Sequence, residues 1–183
     1  MHVMIDLETL GTTADAVILS IGAVKFDLNS DKIQDEAFYA SISVESNLNL
    51  KRRVSEDTLL WWLKQPAAAQ AVFFEPKQTL ETALEDLSDW ISDDKCTVWS
   101  NGADFDLPML AHAFTTVGIE IPWKFWNSLC VRTYKNLPVA KRTTVPDMVG
   151  TKHNAMADAY HQAQVVQAIQ ATMNNEAKMK VKA

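Results

Sequence analysis

The sequence lacks long hydrophobic runs, a secretory signal and a Gly-rich phosphate loop, and it contains only two cysteines. No stretch approaches the ~20 apolar residues of a membrane-spanning helix, and the first residues lack the basic-then-apolar pattern of a signal peptide, so we expect a cytoplasmic protein without membrane partners. Cys96 and Cys130 stand far apart and form no C-x-x-C pair. This spacing predicts reduced thiols and excludes a disulfide framework.

An excess of basic residues is also absent. The formal net charge is -6, whereas proteins that bind nucleic acid tightly and without sequence preference normally present a basic surface that displaces counterions. Bound cations would neutralise several of the acids. The basic residues are locally grouped and form either small phosphate-binding patches or ordinary solvated surface: Lys51, Arg52, Arg53, Lys124, Arg132, Lys135, Lys141, Arg142 and Lys152.

A chain of 183 residues is long enough to bury one well-formed core and too short for two comfortable domains. Its content of 48% hydrophobic and 22% charged residues is that of a globular protein and excludes a disordered chain. We therefore expect one domain over residues 1–173, followed by a frayed polar tail over residues 174–183.

Two carboxylates interrupt the apolar residues 4–11, which we predict to be the central strand of a sheet. Because side chains alternate along a strand, Asp6 and Glu8 share one face. Neighbouring carboxylates repel each other unless a cation lies between them, and oxygen ligands favour Mg²⁺ or Mn²⁺. The pattern predicts half of a metal site. The alternative is an edge strand with both acids in water.

The remaining pattern predicts an α/β fold. The β-branched residues 16–26 and the residues 36–43 follow the first strand with short connections, which favours an antiparallel meander. Another short strand over residues 96–99 precedes a helix that ends at Gly118. Further helices are predicted from Ser55 to Pro66, over residues 80–91 and over residues 155–173, with a short strand and helix within residues 129–137.

Three more candidate site residues lie at the ends of these elements. Asp106 stands where the strand over residues 96–99 passes into a helix, at the edge where open α/β sheets bind ligands, although a simple helix-capping role is the alternative. Asn154 is a natural N-cap for the last helix, which places Asp158 about one turn inside it and His153 on the preceding loop.

Trp61 and Trp62 are adjacent in a helix. Neighbouring helical side chains point about 100° apart, so both cannot easily face the same core. One of them could stack on a nucleobase, whereas packing in the core is an ordinary explanation for each.

The ordered set D-x-E-T from Asp6, N-x-x-x-F-D from Asn101 and H-x-x-x-x-D from His153 resembles the DEDDh (DnaQ-like, RNase H-like fold) 3'-5' exonucleases over nearly the whole chain. Within that superfamily the chain is most similar to the small bacterial and phage enzymes of the Rv2179c-like exoribonuclease and phage exonuclease A type. The tryptophan pair and residues 122–127 (PWKFWN) carry this narrower likeness. The chain departs from the pattern at Leu129 and Cys130, where a charged pair is expected.

The resemblance implies an RNase H-like fold with a mixed sheet, an antiparallel meander plus parallel strands, flanked by helices. It also implies a two-metal mechanism with two Mg²⁺ or Mn²⁺ ions, which releases nucleoside 5'-monophosphates from the 3' end of single-stranded DNA or RNA. By analogy His153 is the general base, because imidazole accepts a proton near neutral pH. The implied metal ligands are Asp6, Glu8, Asp106 and Asp158, and the expected substrate-binding residues are Thr9, Leu10, Gly11, Asn101, Trp61 and Trp62.

Two other functions fit the same fold. A non-catalytic nucleic-acid-binding module is disfavoured because four clustered carboxylates would repel phosphate. An RNase H-like endonuclease is disfavoured because His153, five residues before Asp158, matches the exonuclease pattern. The choice between DNA and RNA stays open, since the contact to a 2'-hydroxyl can come from the backbone.

Overall fold

The computed structural model describes residues 1–92 and 95–181, which form a five-stranded sheet with helices on both faces. The strands are β1 (His2–Thr9), β2 (Ile18–Phe26), β3 (Phe38–Ser41), β4 (Thr97–Ser100) and β5 (Ser128–Cys130). The helices are α1 (Val44–Asn49), α2 (Glu56–Trp62), α3 (Ala67–Gln70), α4 (Leu80–Ile91), α5 (Asp106–Val117), α6 (Val131–Lys135) and α7 (Ala155–Val181), with 3-10 turns at Ala71–Phe73, Phe125–Asn127 and Ala140–Arg142.

The strand that carries the first two acids is the central one. The sheet order is β3-β2-β1-β4-β5, in which β1, β2 and β3 pair antiparallel and β4 and β5 continue in parallel. Alternate side chains of β1 pack into two different cores, Ile5 against α4 and α5 and Met4 against α7. The predicted mixed sheet is confirmed, and the edge-strand alternative for Asp6 and Glu8 is wrong.

Local signals explain most helix boundaries. The Ser55 hydroxyl accepts a hydrogen bond from the Thr58 amide at 3.4 Å, and Gly118 ends α5 in the left-handed conformation with φ 75°. The Asn154 side chain caps α7 by accepting a hydrogen bond from the Ala157 amide at 3.1 Å. Helices α1 and α3 were not predicted, because each is shorter than two turns and shows no clear period.

The last helix is longer than predicted, since α7 continues to Val181 instead of ending near Met173. Residues 174–181 of the expected tail are therefore helical, and residues 182–183 lie outside the described part of the chain. Whether these last turns fray stays a prediction, as does the single-domain assignment. None of the described helices is both long and apolar enough to span a membrane.

Gly22 lets α7 approach the sheet closely. It pairs with Asp6 across β1 and β2, and a Cβ atom at this position would lie 2.3 Å from the carbonyl carbon of Ala155. No side chain fits in that space. The first turn of α7 therefore lies directly on the sheet beside the acids of β1, which fixes the position of Asp158.

Part of the basic sequence has a structural role. Arg52 is buried, and its Nε donates to the carbonyl oxygen of Ala16 at 2.9 Å. Arg53 forms an ion pair with Asp15 at 2.5 Å. These two cations of the first basic cluster therefore make local contacts within the chain.

Candidate active site

Asp6 and Glu8 lie on the face of β1 that is turned towards α7, in a cleft of about 580 Å³. Glu8 is only 7% exposed, and Asp6 is partly exposed. The strand alternation predicted from the sequence therefore places both carboxylates in one concave site.

Asp106 joins them from the start of α5, immediately after β4. Its carboxylate is 2% exposed and accepts a hydrogen bond from the backbone amide of Leu7 at 3.2 Å, between the two acids of β1. It is the first residue of α5 and its carboxylate bonds to another strand, so simple helix capping does not explain its position.

Asp158 and His153 enter the cleft from the amino-terminal end of α7. The His153 amide donates to Asp158 Oδ2 at 2.8 Å, and His153 has a left-handed backbone with φ 63°, which is uncommon for a residue other than glycine. One ligand atom from each of Glu8, His153 and Asp158 lies within 4.8 Å of the others. His153 is therefore close enough to act as a proton acceptor or as a metal ligand.

The electrostatics of the cleft favour a bound cation. Burial, followed by the charges of Asp158 and Asp106, raises the pKa of Glu8 to about 8. Burial also raises the pKa of Asp106 to about 7, against the effect of the Leu7 amide. Burial and the neighbouring carboxylates raise the pKa of Asp6 well above its ordinary value. A cluster of oxygen ligands that are this unfavourable as bare anions fits a hard divalent cation.

Gln162 is a site residue that the sequence analysis missed. Its Nε2 donates to Asp6 Oδ1 at 2.7 Å, and the side chain is 8% exposed. It follows Asp158 by four residues, so both lie on the same face of α7. The four-residue spacing from Asp158 could therefore have identified Gln162 as a candidate site residue from the sequence.

Two cations also line the cleft, Arg132 and Lys152. Arg132 Nη2 donates to the carbonyl oxygen of Asn101 at 2.8 Å, and the positive charge of Arg132 partly offsets the rise that burial causes in the pKa of Asp106. The sequence analysis grouped both residues with the other basic residues and assigned neither of them to the site. Strand β5, which contains the unusual Leu129 and Cys130, is the element that brings Arg132 to this edge of the cleft.

The two adjacent tryptophans have different environments. Trp62 is 1% exposed, and its indole nitrogen donates to the carbonyl oxygen of Thr9 at 2.8 Å. The ring therefore belongs to the core, Trp62 also lies on the wall of the cleft, and its stacking on substrate stays a prediction. Trp61 is 40% exposed, lines the cleft and contacts the His153 ring edge-on at a centroid distance of 4.9 Å.

The other expected substrate-binding residues divide in the same way. Thr9, Gly11 and Asn101 line the cleft, and the Thr9 hydroxyl donates to the Gly11 carbonyl oxygen at 2.7 Å. Leu10 is 4% exposed and packs against Trp62 in the core. Leu10 is therefore used for packing and does not line the cleft, and a contact between Leu10 and substrate stays a prediction.

The chain matches known exonucleases in sequence and in fold. Residues 1–170 match the model of the 3'-5' exoribonuclease Rv2179c-like domain. An exodeoxyribonuclease of Enterobacteria phage T4 is 26% identical in an alignment that covers 86% of this chain and 82% of the phage protein.

Two solved structures share the fold at low sequence identity. E. coli exonuclease I in complex with a dT13 oligonucleotide matches with a TM-score of 0.69 and 13% identity over 97% of this chain, which spans 42% of the exonuclease I chain. The nuclease domain of 3'hExo, a DEDDh family member bound to rAMP, matches with a TM-score of 0.59 and 12% identity over 91% of this chain and 89% of that domain. These likenesses confirm the predicted RNase H-like fold.

Proposed function

The chain belongs to the Rv2179c-like 3'-5' exoribonuclease domain family, which makes it a 3'-5' exonuclease, and from that premise we propose its substrate, cofactor and mechanism. It removes nucleoside 5'-monophosphates from the 3' end of single-stranded nucleic acid and depends on two Mg²⁺ or Mn²⁺ ions. Residues 1–173 act as one exonuclease domain.

The observation that carries this proposal is the meeting of four carboxylates and one histidine from three distant parts of the chain in one cleft. Asp6, Glu8, Asp106 and Asp158 would hold the ions. Divalent ions at such a site neutralise the developing charge on the phosphodiester oxygens and make water a better nucleophile near neutral pH. The raised pKa of Glu8 and of Asp106 supports this assignment, because each carboxylate gains more from a cation than an exposed one would.

The protein's own groups supply positioning and proton transfer. His153 accepts the proton of the attacking water, and the bond from its amide to Asp158 fixes the loop from which its ring reaches the cleft. Gln162 holds the Asp6 carboxylate in one orientation. Arg132 and Lys152 attract the phosphates of the substrate into a cleft that is otherwise strongly acidic.

Trp61 supports a single-stranded substrate. Its half-exposed ring lies on the wall of the cleft next to His153. An unpaired terminal base can stack on such a ring, whereas a paired base cannot leave its helix without a loss of stacking energy. Thr9 and Gly11 also line the cleft and would contact the terminal nucleotide.

A degradation assay tests the proposal. The protein is incubated with 5'-labelled single-stranded DNA and RNA in Mg²⁺, in Mn²⁺ and in EDTA, with Asp6→Asn as the inactive control. We expect a ladder of shortened 5'-labelled products that requires metal and disappears when the 3' end is blocked. Rapid cutting of a circular single strand would indicate the endonuclease alternative, and binding without products would indicate the non-catalytic module. The DNA and RNA arms compare the two substrates.

A further inference from the structure

A second concave surface lies next to the catalytic cleft. It has a volume of about 240 Å³ and is lined mainly by apolar side chains, and we call it the aromatic groove. Its walls come from the start of α5 and from the segment that leads into β5. The lining residues on which the argument below rests are Leu107, Pro108, Phe125 and Cys130.

The aromatic groove and the cleft share a boundary. Along residues 105–108, Phe105 and Asp106 line the cleft, whereas Leu107 and Pro108 line the groove. Along the second wall, Cys130 lines the groove and Arg132 lines the cleft. A strand that leaves the cleft on this side therefore passes directly into the groove.

Two large aromatic side chains at the groove are mostly in solvent. Phe125 lines the groove and is 82% exposed, and its neighbour Trp126 is 66% exposed. Their rings contact each other edge-on at 4.8 Å. Burial in the protein core does not account for either ring, and exposed aromatic side chains are the surfaces on which unpaired bases stack.

A cation stands at the boundary between the two sites. Arg132 is exposed, and its hydrogen bond to the carbonyl oxygen of Asn101 holds the guanidinium there. In a protein of net charge -6, a cation between an acidic cleft and an aromatic surface complements a phosphate that links two nucleotides. An apolar protein partner would not need this charge.

We propose that the aromatic groove binds the nucleotide on the 5' side of the scissile bond. This inference rests on the proposed exonuclease function. With the 3' terminal nucleotide at Thr9, Gly11 and Trp61, the acids lie in the middle of the path and the strand leaves past Arg132. Phe125 and Trp126 then stack on upstream bases, so substrate affinity increases with length beyond the terminal nucleotide.

Binding in the absence of catalysis tests the groove directly. The anisotropy of 5'-fluorescein-labelled dT2, dT4 and dT8 is measured in EDTA at low salt with the wild type, Phe125→Ala, Trp126→Ala and the double variant. The matched control is Phe74→Ala, because Phe74 is 85% exposed and lines neither the cleft nor the groove. We expect the Kd for dT8 to rise about 5- to 150-fold for each stacked base that is lost, with no change for Phe74→Ala.

Kinetics in Mn²⁺ separate the groove from the catalytic function. The p-nitrophenyl ester of thymidine 5'-monophosphate has no upstream nucleotide, so the ratio of KM for dT8 to KM for the ester should rise in the groove variants by a similar factor. Thermal melts establish that each variant is folded. We expect this because both rings are mostly exposed and contribute little to the core.

The possible outcomes are distinct. An unchanged Kd and an unchanged KM ratio in the double variant overturn the groove proposal and leave a protein partner as the occupant. Equal losses in the double variant and in Phe74→Ala also overturn it. A wild type that binds dT8 through the groove but hydrolyses neither substrate refutes the proposed function alone, and one that neither binds nor hydrolyses refutes both.

Discussion

Replacing Glu8 with Gln should make the metal-free protein more stable near neutral pH. Burial raises the pKa of Glu8 from 4.5 to about 8. Between these two values the folded protein keeps a proton that the unfolded chain releases. The free energy of unfolding of the wild type therefore falls as the pH rises through this window. Below the pKa of the unfolded chain, Glu8 is protonated in both states and the raised pKa causes no loss of stability.

The size of the effect follows from the proton count. One retained proton changes the free energy of unfolding by about 1.4 kcal/mol for each pH unit. From pH 5 to pH 7 the loss at Glu8 amounts to about 3 kcal/mol, a large share of the ~5–15 kcal/mol that stabilises a typical domain. Asp106, whose pKa is raised to about 7, changes stability in the same direction.

Urea denaturation in EDTA at pH 5, 6 and 7 measures this effect. The difference between Glu8→Gln and the wild type is the useful quantity, because groups outside the carboxylate cluster titrate alike in both. One of these is His2, whose pKa is lowered by burial and which therefore changes stability with the opposite sign. The difference should increase by about 3 kcal/mol in favour of the variant from pH 5 to pH 7. Adding Mn²⁺ at pH 7 should stabilise the wild type more than the variant.

A pH-independent difference between the two proteins would refute the reasoning, since Glu8 would then carry no excess proton in the folded state. A variant that is less stable than the wild type by the same amount at every pH would assign Glu8 a packing or hydrogen-bonding role. Only a difference in the free energy of unfolding that grows with pH supports the conclusion that Glu8 is buried among repelling carboxylates that a cation would neutralise.

Three further predictions concern the rest of the site. Trp62→Ala should lower the free energy of unfolding by ~3–5 kcal/mol in urea melts, whereas Trp61→Ala should weaken single-strand binding by ~1–3 kcal/mol with little change in stability. Gly22→Ala should displace α7 and reduce both Mn²⁺ affinity and activity, and normal values of both would contradict the close approach. His153→Ala should slow turnover by ~10²–10⁴-fold and keep Mn²⁺ affinity in calorimetry, while Asp158→Ala should lose both; equal loss of metal would make His153 a ligand.

The acidic strand and several helix starts could be predicted because their signals are local. Alternation along β1 places Asp6 and Glu8 on one face whatever the rest of the chain does. Capping residues such as Ser55 and Asn154 satisfy amides within one turn, so they mark helix starts from sequence alone. The resemblance then linked acids that are distant in sequence, which no local pattern does.

The environments of Trp62 and Leu10 could not be predicted, because they depend on what packs above the end of β1. A helix residue shows its burial by its period only when the helix is long enough, and α2 has seven residues. Trp62 is held inward by its bond to the Thr9 carbonyl oxygen, and Leu10 packs against its ring. The same contact leaves Trp61 on the wall of the cleft.

The position of α7 depends on a residue with no side chain. Four of the five proposed catalytic groups are carboxylates, and Asp158 joins the other three only if the first turn of α7 lies directly on the sheet. Gly22 permits this approach, and Gln162, one turn after Asp158, then reaches Asp6. Within β2 this glycine looks like a weak point of a strand, since glycine is unfavourable there. Once the strand register is known, Gly22 is seen to lie opposite Asp6 of the acidic strand. A glycine in that position therefore indicates where another element, here α7, packs on the sheet and contributes the remaining site residues.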